Sequence, residues 1–177
     1  MRVIGGEFRS RRLTTLPGMA LRPTPDRLRE SLFNILTPRI DDCVFVDAYA
    51  GSGAVGIEAL SRGAARAIFI EKHPAAVRVI RENLAALGIE DRAQIMQAPA
   101  AMLLGRFRDG IVFLDPPYPL AKEYDDALRA LGAAPARSLL VIVQHHSKFA
   151  LAESHGALRR VRQLRQGDNT LSFYEPV

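Results

Sequence analysis

The sequence predicts an α/β protein: a doubly wound, mostly parallel sheet of seven strands, preceded by a small basic N-terminal extension. Three observations predict it. From residue 43 onward, short apolar runs rich in Val, Ile and Phe alternate with segments whose apolar residues recur at helical spacing. The links between them are short, the pattern of βαβ units in a parallel sheet. The first run leads directly into Gly51-Ser52-Gly53-Ala54-Val55-Gly56, and a later run ends on Asp115-Pro116-Pro117-Tyr118. Both are abrupt stops at the carboxyl end of a strand, where open α/β sheets hold ligands.

Residues 1–21 alternate loosely, punctuated by Gly5-Gly6 and Pro17-Gly18, and are expected to form a hairpin or arm too small to fold alone. Arg22-Pro23-Thr24-Pro25-Asp26 then starts a helix, with Thr24 as N-cap, Pro25 as first helical residue and Asp26 favourable to the dipole. Leu28, Leu32, Ile35 and Leu36 share one face, and Pro38 is expected to end the helix. Strands follow at Cys43–Asp47, Ala67–Glu71, Ala93–Gln97, Ile111–Leu114 and Ser138–Val143. Between them lie helices at Ala54–Arg62, closed by Gly63, and from Pro74 to Gly88, a short one at Pro99–Leu104, and one at Ala121–Leu131. Two closing strands, Leu158–Leu164 and Leu171–Tyr174, flank the turn Gln166-Gly167-Asp168-Asn169.

A chain of 177 residues with 48% hydrophobic and 24% charged residues is long enough for one packed domain. The expected division is residues 1–40 as arm and helix packed on the core, and 41–177 as the main α/β domain. No apolar run approaches the ~20 residues of a membrane span, and no signal-peptide core is present, so a cytoplasmic protein is expected; it is expected to be a monomer. The single cysteine, Cys43, excludes an internal disulfide and a cysteine metal site. No metal is expected. The charge is uneven. Residues 1–40 carry eight Arg against three acids, a net of +5, which equals the net charge of the whole chain. Every base there is Arg, whose planar fork suits phosphates and bases, so Arg2, Arg9, Arg11, Arg12, Arg22, Arg27 and Arg29 are the candidate contacts to a polyanion.

The glycine loop passes the context test for a nucleotide-type site, because it follows a strand and opens a helix. Asp47 ahead of the glycines disfavours a pyrophosphate and favours an aminoacyl cation such as a methionine sulfonium. Glu71, ending the second strand, can accept the hydroxyls of a ribose. At the fourth strand, an acid, rigid carbonyls and a flat ring within four residues can hold a planar amine. If Asp115 and the Pro116 carbonyl accept its two N–H bonds, the nitrogen lone pair is aimed at an incoming methyl carbon. Tyr118 would stack on the base. Gln144-His145-His146 reads as a polar strand end rather than a metal pair, with no third ligand in view.

Asp47 to Gly56, Glu71 and Asp115-Pro116-Pro117-Tyr118 together resemble the class I S-adenosylmethionine-dependent methyltransferases that modify exocyclic amines, a Rossmann-like fold. Three further stretches are similar to the RsmD-type enzymes: Arg2-Val3-Ile4-Gly5-Gly6, Arg22 to Leu36, and Gly51 to Gly63. Those bacterial enzymes methylate N2 of a guanine in 16S ribosomal RNA. The resemblance implies a cofactor site of Asp47, Tyr49, Ala50, Gly51, Ser52, Gly53 and Glu71, with S-adenosyl-L-methionine bound there. It implies a catalytic loop of Asp115, Pro116, Pro117 and Tyr118, and ribosomal RNA or a small-subunit assembly particle facing the basic arm. Where a polar contact to adenine is expected, the chain has Pro99, so a backbone amide near Ala98 or Ala100 is expected to serve. Three other readings fit parts of the pattern. They are an amine methyltransferase acting on DNA or protein, a nicotinamide-dependent oxidoreductase, and an RNA-binding module on a catalytically dead fold.

Overall fold

The computed structural model describes residues 1–16, 24–117, 121–134, 136 and 138–177. The expected strands form, and they form one sheet. In chain order the elements are α1 (Asp26–Ile40), β1 (Val44–Asp47), α2 (Ala54–Ser61), β2 (Arg66–Ile70), α3 (Pro74–Leu87), β3 (Ala93–Met96), β4 (Asp109–Leu114), α4 (Ala121–Gly132), β5 (Ser138–His146), β6 (Ser154–His155), β7 (Leu158–Gln166) and β8 (Asn169–Pro176). The sheet order is β3-β2-β1-β4-β5-β8-β7-β6. β1 to β5 are mutually parallel and β8, β7 and β6 close the sheet antiparallel. The sheet thus has an eighth strand beyond the seven expected. β6 is only two residues long, too short to leave a periodic signal.

Strand alternation sorts the core into two layers. Phe45, Phe69, Ile111, Phe113, Leu140 and Ile142 face α1, α2, α3 and the arm. Val46, Ile70, Val112, Leu114, Val141 and Val143 face α4 and the short turns Ala100–Met102 and Leu104–Arg106. Those turns are 3-10, where a continuous short helix was expected from Pro99 to Leu104. With helices on both faces, the order reverses between β1 and β4, and the strand ends open a crevice there.

The arm is a hairpin, closed by an antiparallel bridge between Arg2 and Arg12. It is fastened to α2. Glu58, fully buried, accepts the backbone N–H groups of Ile4 and Gly5 at 2.8 and 2.9 Å, and Ser61 accepts those of Glu7 and Phe8 at 2.7 and 2.9 Å. Gly6 has φ +79°, and a Cβ there would lie 1.9 Å from the Ser61 carbonyl oxygen, so the close approach requires glycine. Asn83 on α3 secures the next segment, accepting from the Thr14 N–H at 2.8 Å and donating to the Thr14 and Ser52 carbonyls. Val3 and Leu13 are buried in the same core as α1.

α1 departs from expectation at both ends. It starts at Asp26, and Thr24 makes no cap bond, because its hydroxyl is drawn to a buried glutamine. Pro38 does not end it. The helix runs two residues further, because the carbonyl deprived of its donor belongs to Asn34, which is exposed to solvent.

Candidate active site

The crevice is a cavity of about 920 Å³ at the carboxyl ends of β1, β4 and β5, roofed by α1 and the arm. A second chamber of about 250 Å³ adjoins it, and Tyr49, Asp115 and Pro117 line both.

The loop after β1 is built by carboxylates. Asp47 ends β1, buried at 2% exposure, and its Oδ2 accepts the Gly56 N–H at 2.9 Å. Gly56 is the third residue of α2, so Asp47 satisfies one of that helix's unpaired donors and complements its dipole. The turn that permits this passes through Gly53 at φ +80°. Glu71, buried just beyond β2, accepts the Gly51 N–H through Oε2 and the His73 N–H through Oε1, both at 2.9 Å. Each oxygen keeps a further lone pair for a ligand.

Asp115 follows β4, beside Asp47 at the end of β1. Asp115 feels the Asp47 charge and Asp47 feels that of Glu71. Burial, reinforced by these like charges, pushes both Asp47 and Asp115 up to about 7, although the Gly56 N–H holds Asp47 partly down. Three acids therefore flank the switch point, Asp47 and Asp115 on the larger cavity and Glu71 on the smaller chamber. The arrangement attracts a cation and repels a phosphate. Perturbed carboxyls in a crevice are also a general mark of functional sites.

The other end of the cavity holds the opposite charge. Arg29 is 1% exposed, its Nη2 donating to the Arg2 carbonyl at 2.6 Å and to Asp26 Oδ1 at 3.0 Å. Its Nε lies 4.0 Å from Glu58 Oε2. Nε and Nη1 are buried without a hydrogen-bond partner, and the residue lines the cavity. This corrects the expectation that Arg29 faces RNA. Position 29 lies one turn before Phe33 on the buried face of α1, so its guanidinium points inward. Arg2, Arg9, Arg11, Arg12 and Arg27 are exposed, with Arg11 donating to the Ala86 carbonyl at 3.0 Å and Arg2 3.9 Å from Asp26. Arg22 and Tyr118 lie outside the described residues.

Of the other expected site residues, Tyr49, Ala50, Gly51, Ser52, Pro116 and Pro117 line the larger cavity with Asp47 and Asp115. Gly53 shapes the loop without lining it. Glu71 lines the smaller chamber, together with Ala98, Pro99 and Ala100. Thr24, expected only as a helix cap, lines the cavity, and so does Gln144, for which the sequence left a substrate contact open. The Thr24 hydroxyl donates to Gln144 Oε1 at 3.0 Å, with both residues buried. The available signal was a glutamine straight after the apolar run Leu139 to Val143, where the chain should turn polar only at solvent. His145 is tied to the Ser172 hydroxyl at 2.9 Å, and burial lowers its affinity for a proton. Among the described residues, no three His, Cys, Asp or Glu side chains gather as a metal group. No described helix is long and apolar enough to cross a membrane.

Similarity to known proteins agrees with this geometry. The family model described as Conserved hypothetical protein 95 matches residues 1–175. YlbH of Bacillus subtilis, provisionally named an rRNA methyltransferase, is 32% identical over 99% of this chain and 98% of its own length. Ribosomal RNA small subunit methyltransferase D of Escherichia coli is 44% identical over 67% of this chain and 60% of its own length. Among solved structures, yhhF from Escherichia coli, provisionally named a methyltransferase, superposes with a TM-score of 0.86 at 31% identity, covering 99% of this chain and 97% of that one. The match runs through the arm, α1, the glycine loop and the Asp115 turn alike, and the chain belongs to this RsmD-type family of methyltransferases.

Proposed function

We propose that the protein transfers a methyl group from S-adenosyl-L-methionine to the exocyclic N2 amine of a guanine in small-subunit ribosomal RNA. The observation that carries this reading is the placement of Asp47 and Asp115 in one crevice, with Glu71 in the adjoining chamber and with Arg29, whose buried Nε and Nη1 lack hydrogen-bond partners, in the crevice lining. The donor carries an ammonium, a carboxylate, a ribose and an adenine, and the residues present fit each. The Arg29 Nη1 would hold the carboxylate, Asp47 the ammonium and Glu71 the ribose hydroxyls. The Ala98–Ala101 wall of the smaller chamber would hold the adenine. A pyrophosphate cofactor finds no such match, which disfavours the oxidoreductase reading.

When bound, the cofactor supplies an electrophilic methyl group. The chain's own residues do the rest. Asp115 and the Pro116 carbonyl accept the amine's two N–H bonds, turning the nitrogen lone pair toward the methyl group. The ionised Asp115 stabilises the positive charge that develops on nitrogen and then holds the released proton. Its affinity for protons near neutrality suits that second task. A base in structured RNA must be splayed from its stack to reach the crevice. The exposed arginines of the arm and α1 would hold the flanking phosphates. This reading has the enzyme act in the cytoplasm, as a monomer. The test is to offer isotopically labelled cofactor with deproteinised ribosomal RNA, small-subunit particles, DNA and ribosomal protein separately. Label entering only the RNA-containing samples supports the reading, and label entering DNA or protein overturns it.

A further inference from the structure

We propose that Gln144 is a specificity-determining residue that donates a hydrogen bond to the carbonyl oxygen O6 of the target purine, an inference resting on the guanine reading above. The register carries the argument. β4 and β5 are parallel with Leu114 paired to Val143, so Asp115 and Gln144 are the next residues on adjacent strands. Phe113 and Ile142, two positions earlier, both belong to the core layer that faces α1. Alternation turns Asp115 and Gln144 toward that same side, and both line the large cavity. Neighbouring strands run about 4.8 Å apart. An acceptor and a side-chain amide thus stand next to each other at a fixed separation.

Thr24 fixes which end of the amide is presented. Its hydroxyl donates to Gln144 Oε1 at 3.0 Å, occupying the acceptor end, and both residues are buried. The bond from Thr24 is the one side-chain hydrogen bond of Gln144 among the described residues, which leaves Nε2 as a donor on a residue that lines the cavity. The wall therefore reads, across two strand ends, as acceptor then donor. The Watson–Crick edge of guanine reads donor, donor and acceptor from N2 through N1 to O6. Asp115 matches the first two and Gln144 the third. Adenine offers its amine and ring nitrogen side by side and has nothing to accept at the far end, so the separation between the strands works against it. Cytosine matches at both ends but presents a ring acceptor toward Asp115.

The experiment measures kcat and KM with particles reconstituted from RNA carrying either guanine or 6-thioguanine at the methylated nucleotide. The sulfur analogue keeps N1–H and N2–H and replaces O6 with a weak acceptor. The wild-type protein should prefer guanine by about tenfold in kcat/KM. Gln144→Ala should lose about tenfold on guanine and show no preference between the two, with S-adenosylmethionine affinity measured by calorimetry unchanged. Gln144→Met, which keeps the side-chain volume, repeats the test should the alanine variant fold poorly. Thr24→Val should fall between wild type and Gln144→Ala in its preference. A merely structural role for Gln144 would lower activity on both substrates equally and leave the ratio at the wild-type value, which would overturn the proposal while the guanine reading stands. Wild-type transfer to an adenine or cytosine instead would overturn both.

Discussion

Consider Asp47→Asn, which preserves shape and keeps an oxygen to accept the Gly56 N–H at 2.9 Å but removes the charge. In the ligand-free protein, Asp47 is raised from an ordinary 3.8 to about 7, first by burial and then by the Glu71 charge. The sign follows from proton counts. Between pH 4 and 7 the folded protein keeps a proton that the unfolded chain has lost, so stability falls as pH rises through that window and stays reduced above it. At about 1.4 kcal/mol for each pH unit between those values, the ionised carboxylate costs on the order of 4 kcal/mol above pH 7. Asn bears none of that cost. In a protein of this size, about 4 kcal/mol corresponds to roughly 8–16 °C in Tm, an upper bound because the helix-dipole contribution is lost too. Thermal unfolding of both proteins without ligand from pH 5 to pH 8 should show Asp47→Asn more stable at pH 8, with a gap that narrows toward pH 5. Calorimetry at pH 8 should show the opposite for function, with S-adenosylmethionine bound at least tenfold more weakly, since one carboxylate near a cation is worth up to about 4 kcal/mol at an effective dielectric of 20. A variant no more stable than wild type at pH 8, or a gap independent of pH, would refute the reasoning.

Other perturbations separate the parts of the site. Asp115→Ala should abolish methyl transfer while leaving cofactor affinity within about threefold, measured by calorimetry and single-turnover transfer, because it faces the amine rather than the donor. Arg29→Met should weaken S-adenosylmethionine binding by about 10–100-fold, as expected for a lost charged hydrogen bond. It should leave affinity for the decarboxylated analogue nearly unchanged, and equal losses for both ligands would show that Arg29 only braces the arm. Replacing Arg9, Arg11 and Arg12 with Gln should lower the slope of log affinity against log salt for RNA by about two to three, and an unchanged slope would mean that the arm is a solvated face.

The strands were legible because each is a continuous apolar run that only a sheet covered on both faces can bury. The glycine loop and the Asp115 turn were legible because backbone chemistry leaves few alternatives at those positions. What the sequence hid depends on contacts between distant residues. Glu58 lies inside the apolar helix Ala54–Ser61 and is buried because it accepts N–H groups from Ile4 and Gly5, more than fifty residues earlier. Arg29 was misread because its neighbours Arg27 and Glu30 are exposed, and its charge outweighed its position one turn before Phe33. Thr24 looked like a helix cap because capping is local, whereas its actual partner, Gln144, is 120 residues away. Residue type announced the acids of the crevice, and only the fold revealed the side chains that complete the cavity.

The most direct measurement is the identity of the modified nucleoside. Small-subunit particles lacking the modification are incubated with the protein and labelled S-adenosylmethionine, and their RNA is digested to nucleosides and resolved by mass spectrometry. The account predicts the label in N2-methylguanosine alone, from a single position. Label in N6-methyladenosine or a methylated cytidine, or a ring-nitrogen methyl on guanine, would contradict it.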